Sequence, residues 1–365
     1  MKLPRIYKES KTGAIVICDI STEGDTITVT TGQLDGKMQD HLTVCKAMNV
    51  GRSNETTPHE QAILEAKAKH TKKIKAGYVL DPSGVQTVQL PMKVKKYQDQ
   101  KNNVQFPCWI SPKLDGLNGE FRTPDDKTFE LFSRGGDNYP MLDHVLDEID
   151  TLMVALDTKR LNGEIYKHGM HLQDITSAVK KHNKNTPSLE FHVFDIPNSS
   201  KTYDEKLEEF NAIDNSKFDH VKVIRAHEAN SHEEIEEYME KFLGLGYEGI
   251  IIRNKHLVYE YNVRSCDVFK YKIPLDREYK ITGWRADKKG HPVFECITPI
   301  NEGAYTFNVK PKGNHERRLA IAQEADTWIG KWLKIEFENY SKILKPLKPV
   351  GIGLRECDAE GNPLE

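Results

Sequence analysis

The chain has 365 residues, with 38% apolar and 29% charged side chains, and 52 basic against 55 acidic groups leave a net charge of −3. That length supports two or three domains with a sizeable core, and the composition is that of a polar globular chain rather than a fibrous or low-complexity one. A uniformly basic coat is excluded, so any nucleic-acid binding must come from cations segregated onto one face, as in the run Lys67 to Lys75 or the lysine-rich segment Lys331 to Lys348.

Residues 5 to 45 read as short strands. The β-branched runs Ala14 to Cys18 and Thr26 to Thr30 flank a Glu23-Gly24-Asp25 turn, and Asp35-Gly36 marks another. Thr57 caps a helix that opens on Pro58, runs to Lys75 and stops at Gly77. A turn at Asp81-Pro82-Ser83-Gly84 closes this small α+β unit, 1–85. The segment 90–273 mixes strands and helices. A hairpin is expected from Glu120 to Phe132 through Pro124-Asp125-Asp126, and helices over Met141 to Leu156 and Asp204 to Asn215. The sharpest helical signal is Ser231 to Leu245, with Ser231 as cap, Glu234 completing a capping box and Gly246 beyond the end. Glu248 then opens a buried strand through Ile250-Ile251-Ile252. Past Pro274, the runs Tyr279 to Trp284, Val293 to Thr298, Tyr305 to Val309 and Trp332 to Phe337, with turns at Gly290 and Gly303, fit a small closed barrel such as an OB-fold over 275–365.

No stretch is long and apolar enough to span a membrane, and Met1-Lys2-Leu3-Pro4-Arg5 lacks the apolar core of a signal peptide. A cytoplasmic, non-secreted chain is expected. The six cysteines are scattered without a C-x-x-C pair, which argues against a zinc ribbon or a disulfide framework.

Chemistry concentrates in one ordered series: Lys113-Leu114-Asp115-Gly116, Ser133-Arg134-Gly135, Asn162-Gly163-Glu164, Val193-Phe194-Asp195, Glu248-Gly249-Ile250-Ile251-Ile252-Arg253 and Lys270-Tyr271-Lys272. Taken singly, Lys113 is most simply a surface lysine beside an Asp-Gly turn. In series, it is a candidate nucleophile on a strand led by Ile110-Ser111-Pro112. An ordinary lysine, with a pKa near 10.4, is protonated at neutral pH, so the site must favour the free amine. Lys270 and Lys272, alternating on a strand, are expected to share a face and supply like charge. Glu164 and Glu248 are candidate carboxylates for a divalent cation, and Glu164 also for ribose hydroxyls, with Gly163 letting a ligand come close. Phe194 shares a strand face with His192, away from Phe191, Val193 and Asp195, and is a candidate stacking platform for a base. Arg134 in a glycine turn can bond phosphate oxygens. Arg253 and Arg264 are weaker candidates, either paired with Glu248 or another acid, or solvated.

The order of these motifs resembles that of the covalent nucleotidyltransferases, and the ATP-dependent DNA ligases in particular, of the compact bacteriophage type. The resemblance is firm over about 90–273. It reaches more loosely to Pro349-Val350-Gly351-Ile352-Gly353-Leu354-Arg355, which looks like the family's last motif. Residues 1–85 faintly resemble a WGR-type DNA-binding module. The implied fold is α+β: a ligase-type adenylation domain, a C-terminal OB-fold barrel and a small α+β N-terminal module. The implied activity is sealing of 5′-phosphate/3′-hydroxyl nicks in duplex DNA, in replication, repair and recombination, by a monomer. ATP gives a lysyl-AMP on Lys113 and then a DNA-adenylate, with Mg²⁺ at Glu248 and Glu164. The nucleotide would lie against Ser111, Pro112, Lys113, Leu114, Asp115, Arg134, Glu164, Phe194, Lys270 and Lys272. Three departures stand out. Asn118 replaces an arginine two residues after the first motif's glycine, with Arg122 as a substitute on the same strand. Asn162 replaces an aspartate, and Leu347-Lys348-Pro349 lacks a common arginine. An RNA ligase or a capping guanylyltransferase uses the same lysine chemistry and is the alternative. A non-catalytic nucleic-acid binder would be expected to have lost Lys113, Glu248 or the lysine pair, all of which are present.

Overall fold

The computed structural model describes residues 1–10, 14–84, 89–123, 128–298, 305–341 and 343–364. It divides into two compact units, Met1–Lys270 and Tyr271–Glu365. The expected turns at Pro124-Asp125-Asp126 and at Gly303 lie outside the described residues.

The first unit opens with an antiparallel meander of β1 (Ile6–Glu9), β2 (Ile15–Glu23), β3 (Thr26–Gln33) and β4 (Met38–Val44). Helix α1 (Pro58–Lys75) packs on it through Ala62 and Ala66. Its start follows the sequence signal: Thr57 caps Glu60 N, and the Glu60 carboxylate accepts from Thr57 N at 2.8 Å. These elements bury a cluster of their own, built on Ile6, Cys18, Ile20 and Ile27.

Two five-stranded sheets follow. The remaining strands of this unit are β5 (Lys93–Lys96), β6 (Cys108–Lys113), β7 (Leu117–Arg122), β8 (Glu130–Ser133), β9 (Arg160–Tyr166), β10 (Glu190–Asp195), β11 (Val221–Val223), β12 (His227–Ala229), β13 (Gly249–Asn254) and β14 (Arg264–Tyr271). One sheet runs β11-β10-β9-β7-β8 and the other β12-β6-β13-β14-β5. Helices α2 (Leu146–Ala155), α3 (Leu172–Lys180), α4 (Tyr203–Ala212) and α5 (His232–Gly244) accompany them. Most of the buried side chains form one core, with Phe121 edge-on to Phe191 inside it.

Local structure departs from expectation at three helices. Regular α-helix begins at Leu146 rather than Met141, after a 3₁₀ turn over Asp143–Val145. Ser231 caps α5, but its box stays half-made, because Glu234 accepts from Asn230 N at 2.9 Å instead. Helix α3 carries no sharp stop signal, and only its apolar face, Ile175, Ala178 and Val179, marks it.

The second unit is a closed barrel in the order β15-β16-β17-β21-β18. Its strands are β15 (Leu275–Ala286), β16 (Pro292–Ile297), β17 (Thr306–Pro311), β18 (Trp332–Phe337), the short pair β19 (Asn339–Tyr340) and β20 (Pro346–Leu347), and β21 (Val350–Arg355). Helix α6 (His315–Glu324), absent from the strand pattern read in the sequence, packs beside it, and Phe294 stacks on Trp328 with ring centres 5.1 Å apart. The expected closed barrel is present, with its first strand opening at Leu275. Among the described residues no helix is long and apolar enough to cross a membrane.

Candidate active site

Strand β6 carries Lys113 at its end, and Asp115-Gly116 reverses the chain into β7. A Cβ on Gly116 would lie 2.4 Å from Ile165 O and 2.8 Å from Glu164 Cγ, so glycine alone lets this turn lie flat against β9. The turn thereby sets Glu164 beside the end of β6. From the other side, β13 pairs antiparallel with β6 with Gly249 opposite Lys113, and Glu248 N donates to Lys113 O at 3.1 Å. The Lys113 ammonium donates to Glu248 Oε2, and both side chains are largely buried.

Glu164 reports the electrostatics of this corner. Burial pushes its carboxyl up to about 7. The positive charges of Lys113 and Arg134 oppose that shift, and the negative charges of Glu248 and Asp115 add to it. Residues from four separate motifs thus act on one another, although Arg134 itself lies exposed. Tyr139 also feels both Glu164 and Arg134.

Strand β10 alternates as its sequence demands. Phe191, Val193 and Asp195 are buried, while His192 and Phe194 are half-buried on the opposite face. His192 lies across from Glu164. The pairing then slips between Val193 and Asp195, so Phe194 has no partner in the β9 register. Behind the ring lies Arg253, 5% exposed. Its Nη1 donates to Ser111 Oγ at 2.9 Å, and its guanidinium sits 5.6 Å from the Phe194 ring and 4.7 Å from Tyr203. Asp195 anchors this strand end through a fully buried ion pair with Lys206 of α4.

Several candidates are placed otherwise than expected. Ser111 is buried and spoken for by Arg253, and Leu114 belongs to the hydrophobic core, so neither side chain is left to meet a nucleotide. Arg253 pairs with Ser111 rather than with Glu248, and Arg264 donates to Val94 O at 2.6 Å. Gly163 leaves no room for a ligand: a Cβ there would meet His192 O at 2.6 Å and Phe191 Cζ at 2.7 Å. Arg122 does not stand in for the missing arginine, because it donates to Glu120 and to Gln89 O, both at 2.7 Å. Asn162 is structural, donating to Gly119 O at 2.9 Å. Strand β14 ends at Tyr271, so alternation does not carry from Lys270 to Lys272. Lys272 instead pairs with Glu338 of the barrel unit at 3.2 Å. Pro112 and Asp115 flank Lys113, and the Asp115 charge helps to raise the Glu164 carboxyl.

Arg253 matters more than its place in the sequence implies. In the sequence it shares a strand face with Ile251, and the pairing of β13 with β6 sets that face opposite Ser111 and Trp109. Among the described residues no group of three or more His, Cys, Asp or Glu gathers to hold a metal ion. Two carboxylates close enough to perturb each other, Glu164 and Glu248, suit Mg²⁺, which takes one or two protein carboxylates and completes its shell with water and substrate phosphates.

Residues 89–272 match the profile of the ATP-dependent DNA ligase domain. The chain belongs to that family. A DNA ligase of African swine fever virus (a Warthog isolate from Namibia) is 26% identical over 343 residues, spanning 86% of this chain and 79% of the viral protein. The DNA ligase of Enterobacteria phage T6 is 23% identical over 344 residues, covering 75% of this chain and 70% of its own length. Among solved structures, a Lig E DNA ligase superposes with a TM-score of 0.58 at 21% identity, over 73% of this chain and all of its own, and shares the fold. The protein is an ATP-dependent DNA ligase, and the RNA-ligase and capping readings are not favoured.

Proposed function

We propose that Lys113 is the nucleophile of this ligase and that the side chains converging on it bind ATP. Lys113 Nζ, once deprotonated, forms an N–P bond to the α-phosphorus while the bond to the β-phosphate oxygen breaks and pyrophosphate leaves. A 5′-phosphate oxygen of nicked DNA then takes the AMP from Lys113. The 3′-hydroxyl, losing its proton, attacks that phosphate and expels AMP, closing the strand.

The supporting observation is the meeting of Lys113, Glu164 and Glu248 at a turn that only Gly116 allows. Phe194 stacks the adenine, worth about 1–3 kcal/mol, and Arg253 with Ser111 behind it fixes the ring. Glu164 accepts from ribose hydroxyls, and Arg134, Lys270 and Lys272 contact phosphates. Pro112, Leu114 and Asp115 shape the strand end and turn that present Lys113. Glu248 and Glu164 would hold Mg²⁺, and a bound ion would supply charge neutralisation to the triphosphate. Lys113 attacks once its amine leaves the ion pair with Glu248 and gives up its proton. Residues 1–85, 90–273 and 275–365 serve as DNA-binding, adenylation and OB-fold domains.

Incubation with α-labelled ATP and Mg²⁺, followed by a denaturing gel, tests this reading. Label bound to the wild type through an acid-labile, alkali-stable bond and mapped to Lys113 is expected. Label on another residue, or nick sealing by Lys113→Ala, overturns it.

A further inference from the structure

Arg134 sits on a turn that carries its own acid. Ser133 N donates to Asp137 O at 2.7 Å, Asp137 N donates to Ser133 Oγ at 3.0 Å, and Gly136 takes a φ of 83° to close the loop. The Asp137 carboxylate folds back over this turn, with Oδ2 only 3.7 Å from where a Cβ on Gly135, the residue after Arg134, would lie. Both charges reach Tyr139: burial and Glu164 raise its hydroxyl, Arg134 lowers it and Asp137 raises it further. A guanidinium and a carboxylate three residues apart on one tight turn are natural partners, yet these two do not pair. Among the described residues Arg134 makes no ion pair, and Asp137 is taken by Lys75.

Lys75 belongs to the last turn of α1, in the N-terminal module. From Lys67 to Leu80 that module has five lysines and no acid, so no neighbour in the chain competes with Asp137 for the Lys75 ammonium. The two side chains keep 52% and 48% of their surface, and an exposed pair of this kind holds structure only weakly. Its effect lies in the charge it cancels. We propose that Lys75 is a positioning residue for nucleotide loading: it keeps the Asp137 carboxylate off Arg134 and leaves that guanidinium to the phosphates of ATP. A residue outside the adenylation domain thereby takes part in ATP binding. Without Lys75, Asp137 turns to Arg134, and ATP has to displace it. Without either, Arg134 is free again. The inference rests on the reading above, which gives Arg134 a phosphate contact.

The test is calorimetric binding of α,β-methylene-ATP with Mg²⁺, a nucleotide whose bridging carbon prevents transfer to a lysine. Lys75→Met should weaken binding by about 2- to 5-fold, the scale of an exposed ion pair. Asp137→Asn should bind at least as tightly as the wild type. Lys75→Met combined with Asp137→Asn should recover wild-type affinity, and Lys75→Arg should keep it. Calorimetry reports the fraction of competent molecules separately, as stoichiometry, so a partly folded variant does not imitate a change in affinity. Unchanged affinity in Lys75→Met overturns the proposal, as does weaker binding by Asp137→Asn. A double variant no better than Lys75→Met also overturns it, since that is expected if Lys75 only attracts ATP from a distance or holds the module in place. Arg134→Ala separates this inference from the reading beneath it. Weaker binding there, with Lys75→Met like the wild type, refutes the role of Lys75 alone. Wild-type binding by Arg134→Ala refutes the phosphate contact of Arg134 and the proposal with it.

Discussion

Replacing Lys206 with methionine should unfold the adenylation region far more readily than its place on an acidic helix suggests. Lys206 and Asp195 keep 0% and 2% of their side-chain surface, so the pair is dry on both sides. Asp195 Oδ1 also accepts from Ile196 N at 2.9 Å, a bond that offsets little of the charge once the ammonium is gone. A carboxylate stranded at this depth costs about 3–5 kcal/mol. At about 2–4 °C per kcal/mol for a unit of this size, the melting temperature should fall by about 6–20 °C. A second variant, Lys206→Met with Asp195→Asn, removes both charges and keeps the acceptor for Ile196 N. It should recover most of the loss, finishing within about 2 kcal/mol of the wild type. Calorimetry with urea unfolding of all three proteins reads the comparison. If Lys206→Met melts within about a degree or two of the wild type, or if the double variant is worse than the single, the pair does not anchor the strand that carries Phe194.

Glu164 has an ordinary carboxyl in the unfolded chain but one raised to about 7 in the fold. Between about 4.5 and 7 the folded state therefore binds the extra proton, and stability falls as pH rises through that window. Glu164→Gln should accordingly raise the melting temperature more at pH 8 than at pH 5, and a shift independent of pH sinks the assignment. Gly163→Ala drives a methyl into His192 O and Phe191 and should lower stability by several kcal/mol in urea unfolding, whereas a site kept open for ligand would lose ATP affinity alone. Thr57→Ala removes the hydroxyl that accepts from Glu60 N while keeping the backbone N–H that donates to the Glu60 carboxylate, and should destabilise by about 1 kcal/mol, visible as earlier amide exchange in α1 with labelling of Lys113 unchanged.

Local chemistry was legible in the chain wherever a residue's role is set by its immediate neighbours. The Thr57–Glu60 box, the Pro58 start, the alternation of Phe191 to Asp195 and the barrel strands all follow from rules of short range. The motif order likewise singled out Lys113, Glu164 and Glu248, which the fold brings together. Tertiary packing decided the rest. Ser111 and Leu114 lie within two residues of Lys113, yet Ser111 is taken by Arg253 and Leu114 sinks into the core, which only the packing of the sheets reveals. Gly163 looked like room for a ligand until Phe191 filled it from the next strand. Arg253 and Ser111 lie 142 residues apart in the chain, so nothing local foretold their bond. The register of β13 on β6 brings them together, because ladder hydrogen bonds join segments by their position in the sheet and not by their separation in sequence.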